Sequence, residues 1–163
     1  AKALMGLADL QADAGESELA AFTLRQAVEV QPEDSVARVK LGLLLWTSGR
    51  DARQTQEPEG PSPEHSFAEA EKHLQMATEL NPQSDEAYYN LGLVQRDRGR
   101  TEAARDSLER ALDLNPNDDE YAQQLEELEY ADGDLDVDVD EIGSGVLGDV
   151  PDEIEEVLEE EEL

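Results

Sequence analysis

His65 and His73 are the only side chains here that ordinarily titrate near neutral pH, and the chain has no cysteine to set beside either. A hydroxyl or thiol nucleophile needs a base within hydrogen-bond reach, and a zinc site needs converging nitrogen and sulfur ligands. His65 lies in a proline-rich stretch, and the spacing around His73 puts it on the outward face of a helix, so neither arrangement is available. The 42 Asp and Glu form many carboxylate pairs, but in a chain of net charge −30 such pairs are the ordinary make-up of a solvated surface. One acidic run, Asp132 to Glu141 (DGDLDVDVDE), has the alternation of a calcium loop. Started at Asp134, it puts Val139 where the sharp turn needs glycine and Gly145 where a bidentate Glu must close the site; starts at Asp132 or Asp136 fail likewise. Leu135, Val137 and Val139 in that run suit, at most, a strand added to a partner's sheet. The residue inventory points away from an enzyme and implies no cofactor and no metal.

What these residues lack as a reaction centre they gain as a repeating scaffold. Ala111-Leu112-Asp113-Leu114-Asn115-Pro116 repeats, 34 residues on, the phrase Ala77-Thr78-Glu79-Leu80-Asn81-Pro82, and Ala27-Val28-Glu29-Val30-Gln31-Pro32 is a third copy. Upstream of the last proline stand Leu91-Gly92, Gly99, Ala104 and Leu108, and Leu7-Ala8, Gly15, Ala20 and Leu24 precede Pro32 at identical spacings. The middle unit has Leu41-Gly42 and Gly49, then Ala70 and Leu74, with 16 extra residues between its halves. Small residues at Gly42, Gly92, Ala8, Ala20, Ala70 and Ala104 let two helices approach closely. Gly15, Gly49 and Gly99 are expected to end the first helix of each unit in the left-handed conformation, and the proline to end the second. Helices are therefore expected at about 2–14, 17–31, 35–48, 66–80, 85–98 and 101–114. A further helix over 118–130 carries Tyr121, Leu125, Leu128 and Tyr130 and supplies the half-wet final element that a repeat array needs.

Seven spaced positions recurring in three units over residues 1–118 resemble the tetratricopeptide repeat family. Ala8 in place of glycine, and Leu4 and Arg38 where an aromatic is usual, are departures from its pattern. The resemblance implies an all-α fold, a right-handed superhelical array of three helix hairpins plus a C-terminal capping helix. The module then spans 1–130, as repeats 1–34, 35–84 with an inserted loop 50–65, and 85–118, followed by the cap at 118–130. It also implies a protein-interaction scaffold or adaptor that holds a peptide or helix in the concave groove lined by the first helix of each unit. Applied to this chain, that groove is formed by Met5, Val39, Lys40, Leu43, Trp46, Tyr89, Asn90, Leu93 and Arg96, with Trp46 and Tyr89 the stronger anchors. A subtype of the family grips a chaperone's C-terminal carboxylate with Lys, Asn and Arg. Here Met5, Asp9, Lys40, Glu86 and Asn90 hold those places, so a carboxylate-clamp partner is not expected.

Charge divides the chain. Residues 1–118 hold 22 acids against all 12 Lys and Arg, while 119–163 hold 20 acids and no base. Such a field repels nucleic acid. No apolar run approaches the ~20 residues that span a bilayer, so direct membrane insertion is not expected. The absence of cysteine is compatible with the cytoplasm or another soluble, reducing compartment. The first residue, Ala1, reads as a processing or cloning boundary with room for further repeats before it. The insertion Arg50 to His65 (RDARQTQEPEGPSPEH) reads as a mobile loop without a role of its own, in preference to the alternative of a docking or modification loop around Ser62-Pro63. Residues 131–163 read as an acidic, largely disordered tail, keeping the module soluble or meeting a basic partner. Within the tail, Ile154, Val157 and Leu158 fall on one helical stripe. Two alternative readings follow: an assembly protein adapted to high salt, having only 3 Lys among its 12 bases, or a self-regulated module whose tail stripe docks in its own groove.

Overall fold

A computed structural model describes residues 1–55 and 62–132. Among these there are seven α-helices and no strand: α1 (Lys2–Asp13), α2 (Ser17–Val30), α3 (Ser35–Thr55), α4 (Pro63–Leu80), α5 (Asp85–Asp97), α6 (Thr101–Leu114) and α7 (Asp119–Asp132). The fold is the all-α helical repeat expected from the sequence. Consecutive helices pair as α1–α2, α3–α4 and α5–α6, and α7 lies on α6. The tail residues Ile154, Val157 and Leu158, and Asp134 to Glu141, lie outside the described residues.

Each hairpin closes through small residues. A Cβ placed on Gly42 would stand 2.6 Å from Leu74 Cγ, and one on Gly92 would stand 2.8 Å from Leu108 Cγ. The second helix thus lies directly on the backbone of the first, and Ala20, Ala70 and Ala104 are wholly buried at the crossings. Between hairpins the chain turns in the same way three times. The amides of Asp34, Ser84 and Asp118 donate to the carbonyls of Gln31, Asn81 and Asn115, at 3.1, 3.1 and 3.3 Å. The following helix is then capped by a side chain: Asp34 accepts from the Ala37 amide, Ser84 from that of Ala87 and Asp118 from that of Tyr121.

The middle hairpin departs from expectation. Gly15 and Gly99 take up positive φ, 81° and 72°, and end α1 and α5, but Gly49 is helical and α3 runs on to Thr55. α4 begins at Pro63, with Ser62 accepting from the His65 amide and proline in the first turn, where its missing N–H costs nothing. Within the expected loop 50–65, residues 50–55 and 63–65 are therefore helix, Ser62 caps α4, and residues 56–61 lie outside the description. Gly49 serves as a packing site instead of a turn: a Cβ there would meet Phe67 Cε1 at 2.8 Å. Phe67 is wholly buried, and the Arg53 guanidinium lies 4.5 Å from its ring centre. Arg50-Asp51-Ala52-Arg53-Gln54 contains good helix formers, so nothing local stops the helix once the reversal is deferred.

His73 also differs from expectation, for it faces inward. Its side chain is 15% exposed, its Nδ1 lies 3.4 Å from Arg38 and its Nε2 lies 3.8 Å from Glu69. Arg38, which stands where an aromatic is usual, is itself buried and donates to the Pro32 carbonyl at 2.9 Å. A buried carboxylate ties the second repeat to the third: Glu71 accepts from Arg98 and, at 2.8 Å, from Arg100.

Candidate functional site

The first helices α3 and α5, with α7, surround a cleft of 330 Å³. Its walls are Leu43, Trp46 and Arg50 from α3, Tyr89, Asn90, Leu93 and Arg96 from α5, and Glu120 and Gln124 from α7. Leu43, Trp46 and Arg50 project into it because they recur at i, i+3 and i+7 on one helix face, as Tyr89, Leu93 and Arg96 do at i, i+4 and i+7.

Asp97 organises one end. Its Oδ2 accepts from the Trp46 indole Nε1 at 2.7 Å and lies 3.9 Å from Arg50 Nε, while Oδ1 lies 3.5 Å from the Arg96 guanidinium. Arg53 donates both terminal N–H groups to the Asp97 carbonyl, at 3.3 and 3.2 Å. The Arg50 guanidinium also sits over the Trp46 ring, 4.9 Å from its centre, so the indole is held by hydrogen bond and cation–π contact together. At the other end, Tyr89 stacks on Tyr121 with ring centres 4.5 Å apart and donates its hydroxyl to Glu120 at 2.8 Å. Burial and the neighbouring carboxylate both raise the Tyr89 pKa, so its hydroxyl stays a donor. Arg96 bridges to Gln124, which fixes α7 against α5. Among the residues that line the cleft, two guanidiniums (Arg50, Arg96) stand against one carboxylate (Glu120).

Of the nine residues expected to line a groove, Leu43, Trp46, Tyr89, Asn90, Leu93 and Arg96 meet in this cleft. Trp46 and Leu93 are nonetheless mostly buried, at 8% and 5% exposure, and present an edge to the opening. Asn90 is buried and donates to the Glu86 carbonyl at 2.9 Å. Met5, Val39 and Lys40 do not reach the cleft: Val39 is core, Met5 packs against that core, and Lys40 pairs with Asp9 at 2.7 Å. Sequence reasoning missed Arg50, Glu120 and Gln124. Continuing the phase of Leu43 and Trp46 past Gly49 reaches Arg50. A second hollow, of 530 Å³, opens between α2, α3 and α4 beside His65, and Arg25 and Glu69, which line it, bond each other at 2.8 Å. Among the described residues, no helix is long and apolar enough to cross a membrane.

The tetratricopeptide repeat family model matches residues 1–54 and 65–119. No curated protein matches the chain by sequence. Among solved structures, the first TPR domain of human RPAP3 is similar at 20% identity, covering 80% of this chain and 91% of that one with a TM-score of 0.66. The first TPR of Spaghetti (RPAP3) bound to the HSP90 peptide SRMEEVD matches with the same figures. MamA from Desulfovibrio magneticus RS-1 matches at 20% identity over 80% of this chain and 65% of its own, with a TM-score of 0.67. The TPR domain of Arabidopsis OM64 matches at 12% identity over 79% and 93%, with a TM-score of 0.66. At these identities the likeness is one of fold. The repeat pattern, matched on both sides of the insertion, and the helices packed through its small residues agree: the chain belongs to the tetratricopeptide repeat family.

Proposed function

We propose that the module is a protein-interaction scaffold whose cleft between α3, α5 and α7 takes an acidic segment of a partner polypeptide, anchored by one or two apolar side chains. Membership of the family supports the protein-interaction role. The observation that carries the finer reading is the meeting of Leu43, Trp46 and Tyr89 with Arg50 and Arg96 around one opening, in a chain of net charge −30. Aromatic and aliphatic walls give an inserted side chain its binding energy, and rim guanidiniums select carboxylates beside it. The ligand held by the similar Spaghetti domain, SRMEEVD, has Met and Val flanking two Glu, which is chemistry that suits these walls. A carboxylate clamp forms no part of the proposal. Lys40 is committed to Asp9, and Asn90 to the Glu86 carbonyl. The grip proposed here comes from arginines set at the α3–α5 rim. Nor is a catalytic role proposed, because the site's titratable groups are bonded to one another as structural partners.

The test is a peptide array screened with the full chain and with its Arg50→Glu and Tyr89→Ala variants. Bound peptides are expected to be rich in Asp or Glu around one or two apolar residues. Arg50→Glu should weaken them about tenfold, or about 1.4 kcal/mol. Enrichment of basic peptides, or binding indifferent to both variants, would refute the reading.

A further inference from the structure

We infer that the first occupant of this cleft is the chain's own C-terminal segment around Ile154-Glu155-Glu156-Val157-Leu158, so that a partner must displace it. The inference rests on the peptide-binding reading above and names the ligand that competes there.

Charge is the first argument. The chain beyond Asp132 carries 14 Asp and Glu and no base, and residues 1–118 carry 22 acids against 12 bases, so most of the body repels it. The cleft rim is different, with Arg50 and Arg96 lining it on either side of Asp97. Elsewhere, Arg98 is taken up by Glu64 and Glu71, Arg100 by Glu71, Arg25 by Glu69 and Lys40 by Asp9. Among the residues lining the cleft, two guanidiniums, Arg50 and Arg96, stand against one carboxylate, Glu120, so an acidic segment meets cations there beside an apolar wall.

Shape and reach are the second and third arguments. Ile154, Val157 and Leu158 are the only apolar cluster within the acidic stretch Asp152 to Glu162, and the cleft offers Leu43, Trp46 and Tyr89 to receive such side chains. The segment is joined to α7, which itself lines the cleft through Glu120 and Gln124. Twenty-one residues, 133–153, separate Asp132 from Ile154. That length spans up to about 70 Å when extended and gives an effective concentration near the millimolar range. Even a weak site is then substantially filled in cis, and an external acidic peptide binds with its apparent affinity reduced accordingly.

The chain is well suited to the test. Trp46 is its only tryptophan, so its indole N–H gives a single resonance at the cleft, and the absence of cysteine lets Glu160→Cys carry one nitroxide label. In the full labelled chain the Trp46 indole signal should fall below about half its intensity in the reduced control. The loss should be unaffected by tenfold dilution, and largely reversed by Ile154→Asp with Leu158→Asp or by about 0.5 M NaCl. The same double variant should bind an added peptide of residues 150–163 about fivefold more tightly than the parent chain. An indole signal untouched by the label overturns docking in cis, and broadening that vanishes on dilution overturns it in favour of a second copy. If the label has no effect but the added peptide still shifts the indole of the double variant, the docked tail is refuted while the peptide-binding reading stands. If the peptide is also without effect, both fall.

Discussion

Exchanging glycine for alanine inside an exposed helix gains about 1 kcal/mol, because the unfolded backbone has less freedom to lose. At Gly42, in the middle of α3, the same exchange sets a new Cβ 2.6 Å from Leu74 Cγ and 3.0 and 3.1 Å from its two methyl carbons. Leu74 is wholly buried, and its branch carbon cannot swing clear without driving both methyls into their neighbours. Overpacking of a tight core costs about 1–3 kcal/mol, and an approach to a branch carbon this close belongs at the upper end of that range. The net expectation for Gly42→Ala is a loss of about 1–2 kcal/mol, with α3 pushed away from α4. Gly6 is the internal control. It lies within α1, and a Cβ added there meets nothing within 4 Å, so Gly6→Ala should gain about 1 kcal/mol. Urea unfolding followed by far-ultraviolet circular dichroism measures both, and the two variants should differ by about 2–3 kcal/mol with opposite signs relative to the parent. Adding Leu74→Ala to Gly42→Ala should cost less than Leu74→Ala alone, because the clash is gone. The reasoning fails if Gly42→Ala is as stable as the parent, or if both alanines shift stability in the same direction.

Two further predictions address the cleft and the half-buried His73. Asp97→Ala removes the acceptor for the Trp46 indole and leaves Arg50 and Arg96 facing each other, so it should cost about 1–3 kcal/mol and shift Trp46 emission to the red; unchanged emission would show that Asp97 does not hold the indole. His73 has its pKa lowered, first by burial and further by Arg38, Lys72 and Arg25, against the opposing charge of Glu69. The native state therefore keeps the ring neutral, while the unfolded chain takes up its proton near pH 6.5. Stability should fall as pH drops through that value, and His73→Gln should lose less between about pH 7.5 and 5.5; equal losses in the two proteins would refute the assignment.

The repeat was legible because its defining positions are those where packing admits few residue types. Gly42 and Gly92 lie against leucine side chains, and any alternative must displace Leu74 or Leu108. Gly49 was misread because a glycine at that spacing satisfies two different demands. In the outer hairpins the second helix starts at Ser17 and Thr101, two residues after Gly15 and Gly99, so the chain must reverse at the glycine. In the middle hairpin the 16 extra residues remove that demand, and Gly49 is kept for the close approach of Phe67. His73 was misread from the spacing of its own helix alone. Its counterparts in the other repeats, Thr23 and Ser107, are both buried and donate to Gln11 and Gln95 at 2.8 and 2.7 Å. Comparing the three repeats at that position was the available signal. Glu120 and Gln124 were missed for another reason: α7 reads as a cap from its apolar residues, and its polar face becomes a cleft wall only when Arg96 and Tyr89 reach across from α5.

The cleft's chemistry comes from departures from the repeat more than from the repeat itself. Residues that define the pattern are consumed by packing: Leu41, Ala70, Leu74, Ala104 and Leu108 are wholly buried and can touch no ligand. What distinguishes this array lies at positions the pattern leaves free. Had α3 ended at Gly49 as α1 ends before Gly15, Arg50 would stand where Glu16 stands, at the entry to the return helix. Its guanidinium would then have no helix to hold it over Trp46. The extra turns of α3 also bring Arg53 onto the Asp97 carbonyl, so an insertion in one repeat places two cations on the last residue of the next repeat's first helix. That placement surrounds Asp97 with donors, orients the indole, and leaves two guanidiniums against one carboxylate among the residues lining the cleft. The elongated hairpin thus supplies Arg50, a rim cation that the proposed preference for acidic peptides requires, and a variant whose α3 is shortened to end at Gly49 should keep the fold while losing that preference.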